Sequence, residues 1–460
     1  MQRIVTLLSQ ILTIFLCAVL LFVPFGNSYA QSNRVNIIRD AEIEQLLSDY
    51  ASPLLRAAGF TTRNIQIIIV NDRSFNAFVD GQRIFVNSGT ILDAETPNEV
   101  IGVLAHEIGH LAGRHQQRLR EMLKNAQTLA IVGMLLGIGS AAAGAATGSS
   151  SAAGAGGGLA ASSSELAMRS VLSYRRSEES SADRSAINFL NATQQSANGM
   201  LKTFERFSRA LSFSGASVDP YRISHPLPQE RIAALKTLAH QSPYFAKKDP
   251  PALQMRHNMA RAKIAAYYGD FADLRRMFKS DPRGLPALYG EAVLAVGKGA
   301  PSAAMPKVTA LLNEQPKNPF FHELLGDLYI KANNPAAAAA AYKRAKELDS
   351  RKSSLLAISY GHALVLTNDP KNLQLAIKEI KAGLAKEPDF AGGYAYLAMA
   401  YSRAGEPALG DLATADMNYY LGNIMQARIF ATRAQKGLKK DSAAWIRAQD
   451  LLNTTRPNKL

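Results

Sequence analysis

The spacing of apolar positions changes period along this chain. From Ala41 to Ala58 they recur at helical intervals with a polar face opposite, predicting an amphipathic helix. Three short runs follow, Ile65 to Val70, Phe75 to Val79 and Arg83 to Val86, rich in β-branched and aromatic residues. Asn-Asp and Asp-Gly turn signals separate them, so they predict a small sheet. The helical period then returns in Val100, Ile101, Val103, Leu104 and Ile108, which should bury the back of a helix and turn its other face to a cleft. Its start is marked by Thr96-Pro97-Asn98-Glu99: an N-cap, a proline at the first helical position, and a glutamate placed to close a capping box.

Residues 125–164 carry no charged side chain; they begin with an apolar run around Leu129 to Leu136 and continue in Gly, Ala and Ser. Two readings apply: a lid over the cleft, built of a helix and a flexible Gly/Ser-rich turn, or a hairpin in contact with a membrane. Gly and Ala dilute the run too far for a comfortable span. Beyond Pro250 helix pairs recur. Leu325, Gly326, Tyr329, Ala338, Tyr342 and Ala345 occupy the small and aromatic positions of the tetratricopeptide pattern. Gly361, Ala376, Ile380 and Pro388 repeat it, as do Tyr394, Leu397, Ala398 and Tyr401, with a looser copy from Ala415 to Leu438. The stretch from Leu253 to Asn313 is a degenerate version. Such arrays stack into a solenoid with a concave face suited to protein partners.

The 460 residues suffice for at least two cores. Domains are therefore expected at 1–30, 31–250 and 251–460. The first is a cleavable signal peptide: Arg3 gives a basic start, Ile11 to Val23 is almost continuously apolar, and Ser28-Tyr29-Ala30 precedes Gln31 as a cleavage site. Cys17, the only cysteine, lies inside that segment, so the processed chain has no thiol and no disulfide framework. A periplasmic location, with possible membrane association, fits best. The formal charge of +15 points to anionic surfaces such as lipid or lipopolysaccharide. It does not point to nucleic acid, because the basic residues are dispersed and export removes that ligand.

The chemistry sits in His106-Glu107-Ile108-Gly109-His110. Positions i and i+4 of a helix share a face, so both imidazoles can hold one zinc ion with Glu107 beside them as general base. Catalytic zinc takes three protein ligands. Gly113 and His115 nearly supply a metzincin continuation but miss the spacing by one residue. On a continuing helix His115 is rotated roughly 140° from His110, which predicts a surface histidine. Glu179 is the better third ligand. In Glu179-Ser180-Ser181-Ala182-Asp183 the two acids lie one turn apart, so Asp183 can accept the second ring N–H of a zinc-bound histidine.

Glu179-x-x-Ala182-Asp183 downstream of His106-Glu107-x-x-His110 resembles the zinc metallopeptidase family of HtpX and the CAAX-prenyl-protein endopeptidase. The resemblance implies a mainly helical, α+β gluzincin-type domain with a small sheet. It also implies one Zn2+ per chain held by His106, His110 and Glu179, with Glu107 as base and Asp183 behind the ligands. His225-Pro226-Leu227-Pro228-Gln229-Glu230-Arg231 is similar to the His-Pro-x-x-x-x-Arg segment of its soluble, BepA-like periplasmic branch. Here His225 has two functional readings, an oxyanion donor or a fourth zinc ligand that holds the enzyme inactive, and Arg231 is placed to pair with an acid near the site. Zinc lowers the pKa of its water from ~15.7 toward about 7, and Glu107 takes the proton as hydroxide attacks a peptide carbonyl. The expected function is an exported zinc endopeptidase with a repeat domain that recruits protein partners, and the resemblance implies that it acts on misfolded or misassembled outer-membrane proteins. The competing expectation is a chaperone or scaffold whose zinc site is silent.

Overall fold

The computed structural model describes residues 36–125, 128, 150–213, 225, 229–269 and 271–454. The expected signal peptide lies outside them, as does most of the first half of the charge-free segment. The molecule is mainly α, with one small sheet.

Strand β1 (Ile37–Ile38) leads into helix α1 (Ala41–Ala57), which Asp40 caps by accepting from the Ile43 N–H at 3.0 Å. The sheet is completed by β2 (Gln66–Val70), β3 (Ala77–Asp80) and β4 (Arg83–Asn87), in the order β1-β2-β4-β3. Pairing is antiparallel for β1 with β2 and for β3 with β4, and parallel for β2 with β4. The three predicted strands are present within two residues; the two-residue β1 had no pattern long enough to register. Among the described residues β1 and β3 form the edges of the sheet, and β3 packs beside the central helix.

Helix α2 (Ser88–Asp93) precedes that central helix, α3 (Pro97–Ala112). Val100, Ile101, Val103, Leu104 and Ile108 are all buried, as the apolar period requires, and the opposite face is also covered, so His106 and Glu107 are buried too. Thr96 is the N-cap residue but makes no side-chain cap bond. The expected capping box does not form, because Glu99, fully buried, is drawn instead into ion pairs with Arg206 and Lys202. A charged partner holds a carboxylate more strongly than an N-cap amide does.

Two helices enclose α3: α4 (Ser150–Ala192) and α5 (Asn198–Phe213). Both lie unusually close, and glycines permit it. A Cβ on Gly109 would meet the Ala182 carbonyl oxygen at 2.7 Å, and one on Gly102 would meet the Met200 backbone at 2.8 Å. The Gly/Ala/Ser stretch from Ser150 to Ser164, read from sequence as a flexible turn, is helical and continuous with the turn that carries Glu179. Among the described residues no helix is long and apolar enough to cross a membrane.

Helix α6 (Gln229–His240) closes this half. Next come α7 (Pro251–Tyr268), α8 (Phe271–Met277), α9 (Leu285–Lys298) and α10 (Pro301–Glu314), then four further pairs. These are α11 (Pro319–Lys331) with α12 (Pro335–Leu348), α13 (Ser354–Leu366) with α14 (Pro370–Leu384), α15 (Ala391–Arg403) with α16 (Pro407–Tyr420), and α17 (Ile424–Gly437) with α18 (Ala443–Asn453). Each packs mainly on its sequence neighbours. Small residues set the spacing at the seams: a Cβ on Gly326 would meet the Tyr342 ring at 2.7 Å, and one on Gly361 would meet Ile380 at 2.6 Å.

The chain does not divide into separate cores at residue 250. Ala260, Ile264 and Ala265 of α7, with Leu274 of α8 and Ala287 of α9, are buried in the same apolar cluster as α1, α3 and α5. The polar face of α1 is covered as well. Lys263 lies buried against Asp40 at 2.8 Å, Glu42 at 3.3 Å and Glu323 at 3.6 Å, while Tyr289 donates to Glu42 at 2.7 Å. Further out, Gln45 donates to Asp349 at 3.2 Å, Arg351 and Arg256 pair with Asp49, and Ala41 packs on Leu355 and Leu356.

Candidate metal centre

Helix α3 stacks His106 and His110 one turn apart, their Nε2 atoms 3.0 Å from each other. The close Gly109–Ala182 crossing brings Glu179 of α4 against them, its Oε2 at 3.3 Å from His106 Nε2 and its Oε1 at 3.4 Å from His110 Nε2. His225 arrives from a segment 119 positions beyond His106, with Nδ1 at 3.2 Å from His106 Nε2 and 3.2 Å from Glu179. Among the described residues these four form the one group whose donor atoms all lie within 4.8 Å of one another.

The donor set fits a zinc ion. Tetrahedral coordination at roughly 2.0–2.1 Å places ligand atoms about 3.3–3.4 Å apart, and the separations here run from 3.0 to 3.4 Å. Charge fits too. Glu179 and Asp183, both held in the ionised form, face one guanidinium, Arg231, which leaves a negative charge at the donor atoms for a cation to balance.

A second layer of contacts surrounds the donor atoms. Asp183 Oδ1 lies 3.0 Å from His106 Nδ1. Its two oxygens accept from Arg231, from Nε at 2.6 Å and from the second terminal amine at 2.8 Å, the side-on geometry characteristic of an arginine–carboxylate pair. The remaining Arg231 amine sits 2.8 Å from Glu179 Oε2, and the guanidinium stacks 5.1 Å from the Phe204 ring, which also meets His106 edge-on. Arg231 thus pairs with acids of the site, as its position in sequence suggested.

Electrostatics follow from that packing. Burial would raise Glu179, but its contacts with His106, His110 and His225 outweigh it and hold the carboxyl well below its ordinary range. Asp183 is likewise lowered, with Arg231 outweighing burial. Burial works against protonating His106, yet Asp183 and Glu179 prevail and raise it to about 9. In His110 burial dominates and the ring is pushed down to about 3. Glu107, wholly buried, is raised by desolvation. Its Oε1 lies 3.4 Å from His225 Nε2.

His115 is where the expectation of a surface histidine fails. It is not in the donor group, but it is buried, with Nδ1 at 2.9 Å from His110 Nδ1 and Nε2 at 2.6 Å from Glu178 Oε2. The rotation argument assumed a continuing helix. The helix instead ends at Gly113, and Arg114 takes a left-handed φ of 52°, which swings the next residue back under the metal face. Glycine is needed at 113 because a Cβ there would meet the His115 ring at 2.0 Å. The glycine was visible in sequence; the left-handed arginine after it was not.

The chain is similar to known peptidases. Residues 38–239 match peptidase family M48. A Vibrio cholerae protein provisionally named a beta-barrel assembly-enhancing protease is 28% identical over 317 residues, which cover 66% of this chain and 62% of that protein. The beta-barrel assembly-enhancing proteases of Yersinia pestis and Escherichia coli are 25% and 23% identical, each match covering 88% of this chain and 85% of the relative.

Proposed function

We propose that this chain, whose residues 38–239 match peptidase family M48, is an exported zinc endopeptidase that clears misfolded or misassembled β-barrel proteins of the outer membrane. The observation that carries the reading is the convergence of His106, His110 and Glu179 at 3.0 to 3.4 Å, with Glu107 buried beside them. Those three side chains would hold the zinc ion, which when bound acts as a Lewis acid that acidifies water and polarises a peptide carbonyl.

Glu107 takes the proton of the attacking water and hands it to the leaving amine. Desolvation, by favouring its protonated form, suits it to holding that proton between the two events. Asp183, with Oδ1 3.0 Å from His106 Nδ1, favours a proton on that outer nitrogen and so leaves the Nε2 lone pair toward the ligand cluster, and Arg231 in turn pins Asp183. The open edge of β3, beside α3, offers backbone groups to an extended substrate, a mode that selects unfolded segments over sequence.

Of the two readings of His225, the distances favour the fourth ligand. Its Nδ1 stands among the donors at 3.2 Å from both His106 and Glu179, so the ring fills the place a substrate carbonyl needs and must withdraw before turnover. The array from α11 to α18 is read as the tetratricopeptide solenoid, which recruits protein substrates and assembly partners from the periplasm.

Glu107→Gln tests the proposal. Zinc content should be retained while cleavage of an unfolded outer-membrane β-barrel protein, followed by gel, falls by at least about a thousandfold, on the order of the loss when a group acting in the transition state is removed. Undiminished cleavage by that variant, or a wild-type chain that protects the barrel protein and never cuts it, overturns the reading in favour of a scaffold.

A further inference from the structure

The third histidine after the helix break has a partner on each side. His115 Nδ1 lies 2.9 Å from His110 Nδ1, on the far side of the ring from the ligand cluster, and the two rings meet edge-to-face with centroids 5.0 Å apart. His115 Nε2 lies 2.6 Å from Glu178 Oε2, which approaches obliquely to the ring N–H. All three groups are buried or nearly so, and Glu178 is the residue immediately before Glu179.

The direction of the hydrogen bonds follows from what each atom can do. A lone pair on Nε2 facing a carboxylate oxygen at 2.6 Å would be repulsive, so the His115 proton sits on Nε2. Nδ1 is then an acceptor, and the only proton available to it across 2.9 Å is the one on His110 Nδ1. A proton on His110 Nδ1 leaves Nε2 with its lone pair toward Glu179 and His106. His106 differs, with a carboxylate oxygen of Asp183 itself 3.0 Å from its Nδ1. The two zinc-side histidines are therefore oriented by different devices, one carboxylate on its own and one carboxylate acting through a second imidazole.

We infer that His115 and Glu178 are a positioning pair, which fixes the tautomer and ring orientation of His110 and thereby sets the affinity of the site for its cation. The inference rests on the proposed role of His110 as a ligand. Sequence adjacency adds a mechanical consequence: one turn of α4 carries both the ligand Glu179 and the tether Glu178, so α3 and α4 are clamped at the site from two directions.

The test uses the full-length processed protein and measures zinc affinity by chelator competition, with the visible spectrum of the Co2+ form as a second readout. His115→Phe keeps the ring volume and removes the acceptor; zinc should bind about 10–100-fold more weakly, the range for loss of an outer partner of a metal-binding histidine. His115→Asn, which restores an acceptor oxygen, should recover part of the loss, and Glu178→Gln should show a smaller loss in the same direction. All should alter the Co2+ bands while the melting temperature of chelated protein stays near that of the parent. Zinc affinity within twofold of the parent in both His115→Phe and Glu178→Gln would overturn the inference, leaving the pair as packing. Should His115→Phe fail to fold, Glu178→Gln decides alone. His110→Ala separates the two levels: zinc lost there but unaffected in the pair variants refutes the positioning role only, whereas a parent protein that binds no zinc refutes both.

Discussion

Two buried polar clusters, built from the same kinds of side chain, do opposite things in this molecule. Around Lys263, the acids Asp40, Glu42 and Glu323 close on an ammonium that the chain itself supplies. Around His106, three carboxylates and three imidazoles converge beside the guanidinium of Arg231, and donor atoms of His106, His110, Glu179 and His225 crowd together at 3.0 to 3.4 Å. Burial alone separates neither from the other. What distinguishes a site from a structural knot is not the charge count, since three acids face one cation in each, but that imidazole and carboxylate donor atoms of four residues crowd within 4.8 Å of one another.

Response to loss of a cation is the sharpest way to test that contrast. Lys263→Met should destabilise the fold by about 3–5 kcal/mol, since buried carboxylates lose their compensating charge, and should leave zinc affinity unchanged. Urea unfolding with parallel chelator competition measures both, and a shift in zinc affinity would mean the clusters are coupled. The second effect is smaller and opposite in location. Stripping zinc should lower stability by about 2.7–4.1 kcal/mol relative to protein held at 100–1,000 times the dissociation constant, read as a fall in melting temperature that zinc restores and calcium does not. A chain whose melting is indifferent to chelation would erase the distinction between the two clusters.

How much of each cluster could be read in advance follows from sequence distance. His106, Glu107 and His110 lie within five residues, and Glu179 and Asp183 within another five, so helical periodicity alone puts each set on one face. The Lys263 cluster has no such local signature: its partners lie 221 to 223 positions upstream and 60 downstream, and only the packing of α1 under α7, α9 and α11 unites them. The same limit explains the errors. The capping box that sequence predicts at Glu99 gives way to Arg206, 107 positions away, and the surface position it predicts for His115 gives way to one backbone angle at Arg114, outside anything periodicity reports.

His257 gives the mildest test, as a buried polar group that belongs to neither cluster. Nε2 donates to the Ala94 carbonyl at 2.9 Å, so Nδ1 accepts from the Tyr50 hydroxyl at 3.0 Å and the neutral ring is fully satisfied. Burial pushes its pKa down to about 4 from an ordinary 6.5. The unfolded chain therefore binds the extra proton between those values. The stability this ring contributes is complete above pH 6.5 and is lost progressively as pH falls toward 4. Melting temperatures across that window should decline less steeply in His257→Gln than in the parent; an equal slope would assign the acid sensitivity elsewhere.

The shared burial of α7 and α8 with α1, α3 and α5 carries a consequence for inheritance as well as for folding. A fragment severed at residue 250 would bare Ile264, Ala265 and Leu274 on one piece and their apolar counterparts on the other, so neither half is a self-sufficient module. Recombination could not graft this hydrolase onto a different scaffold at that joint without also rebuilding the seam, and limited digestion there should release no soluble, active core.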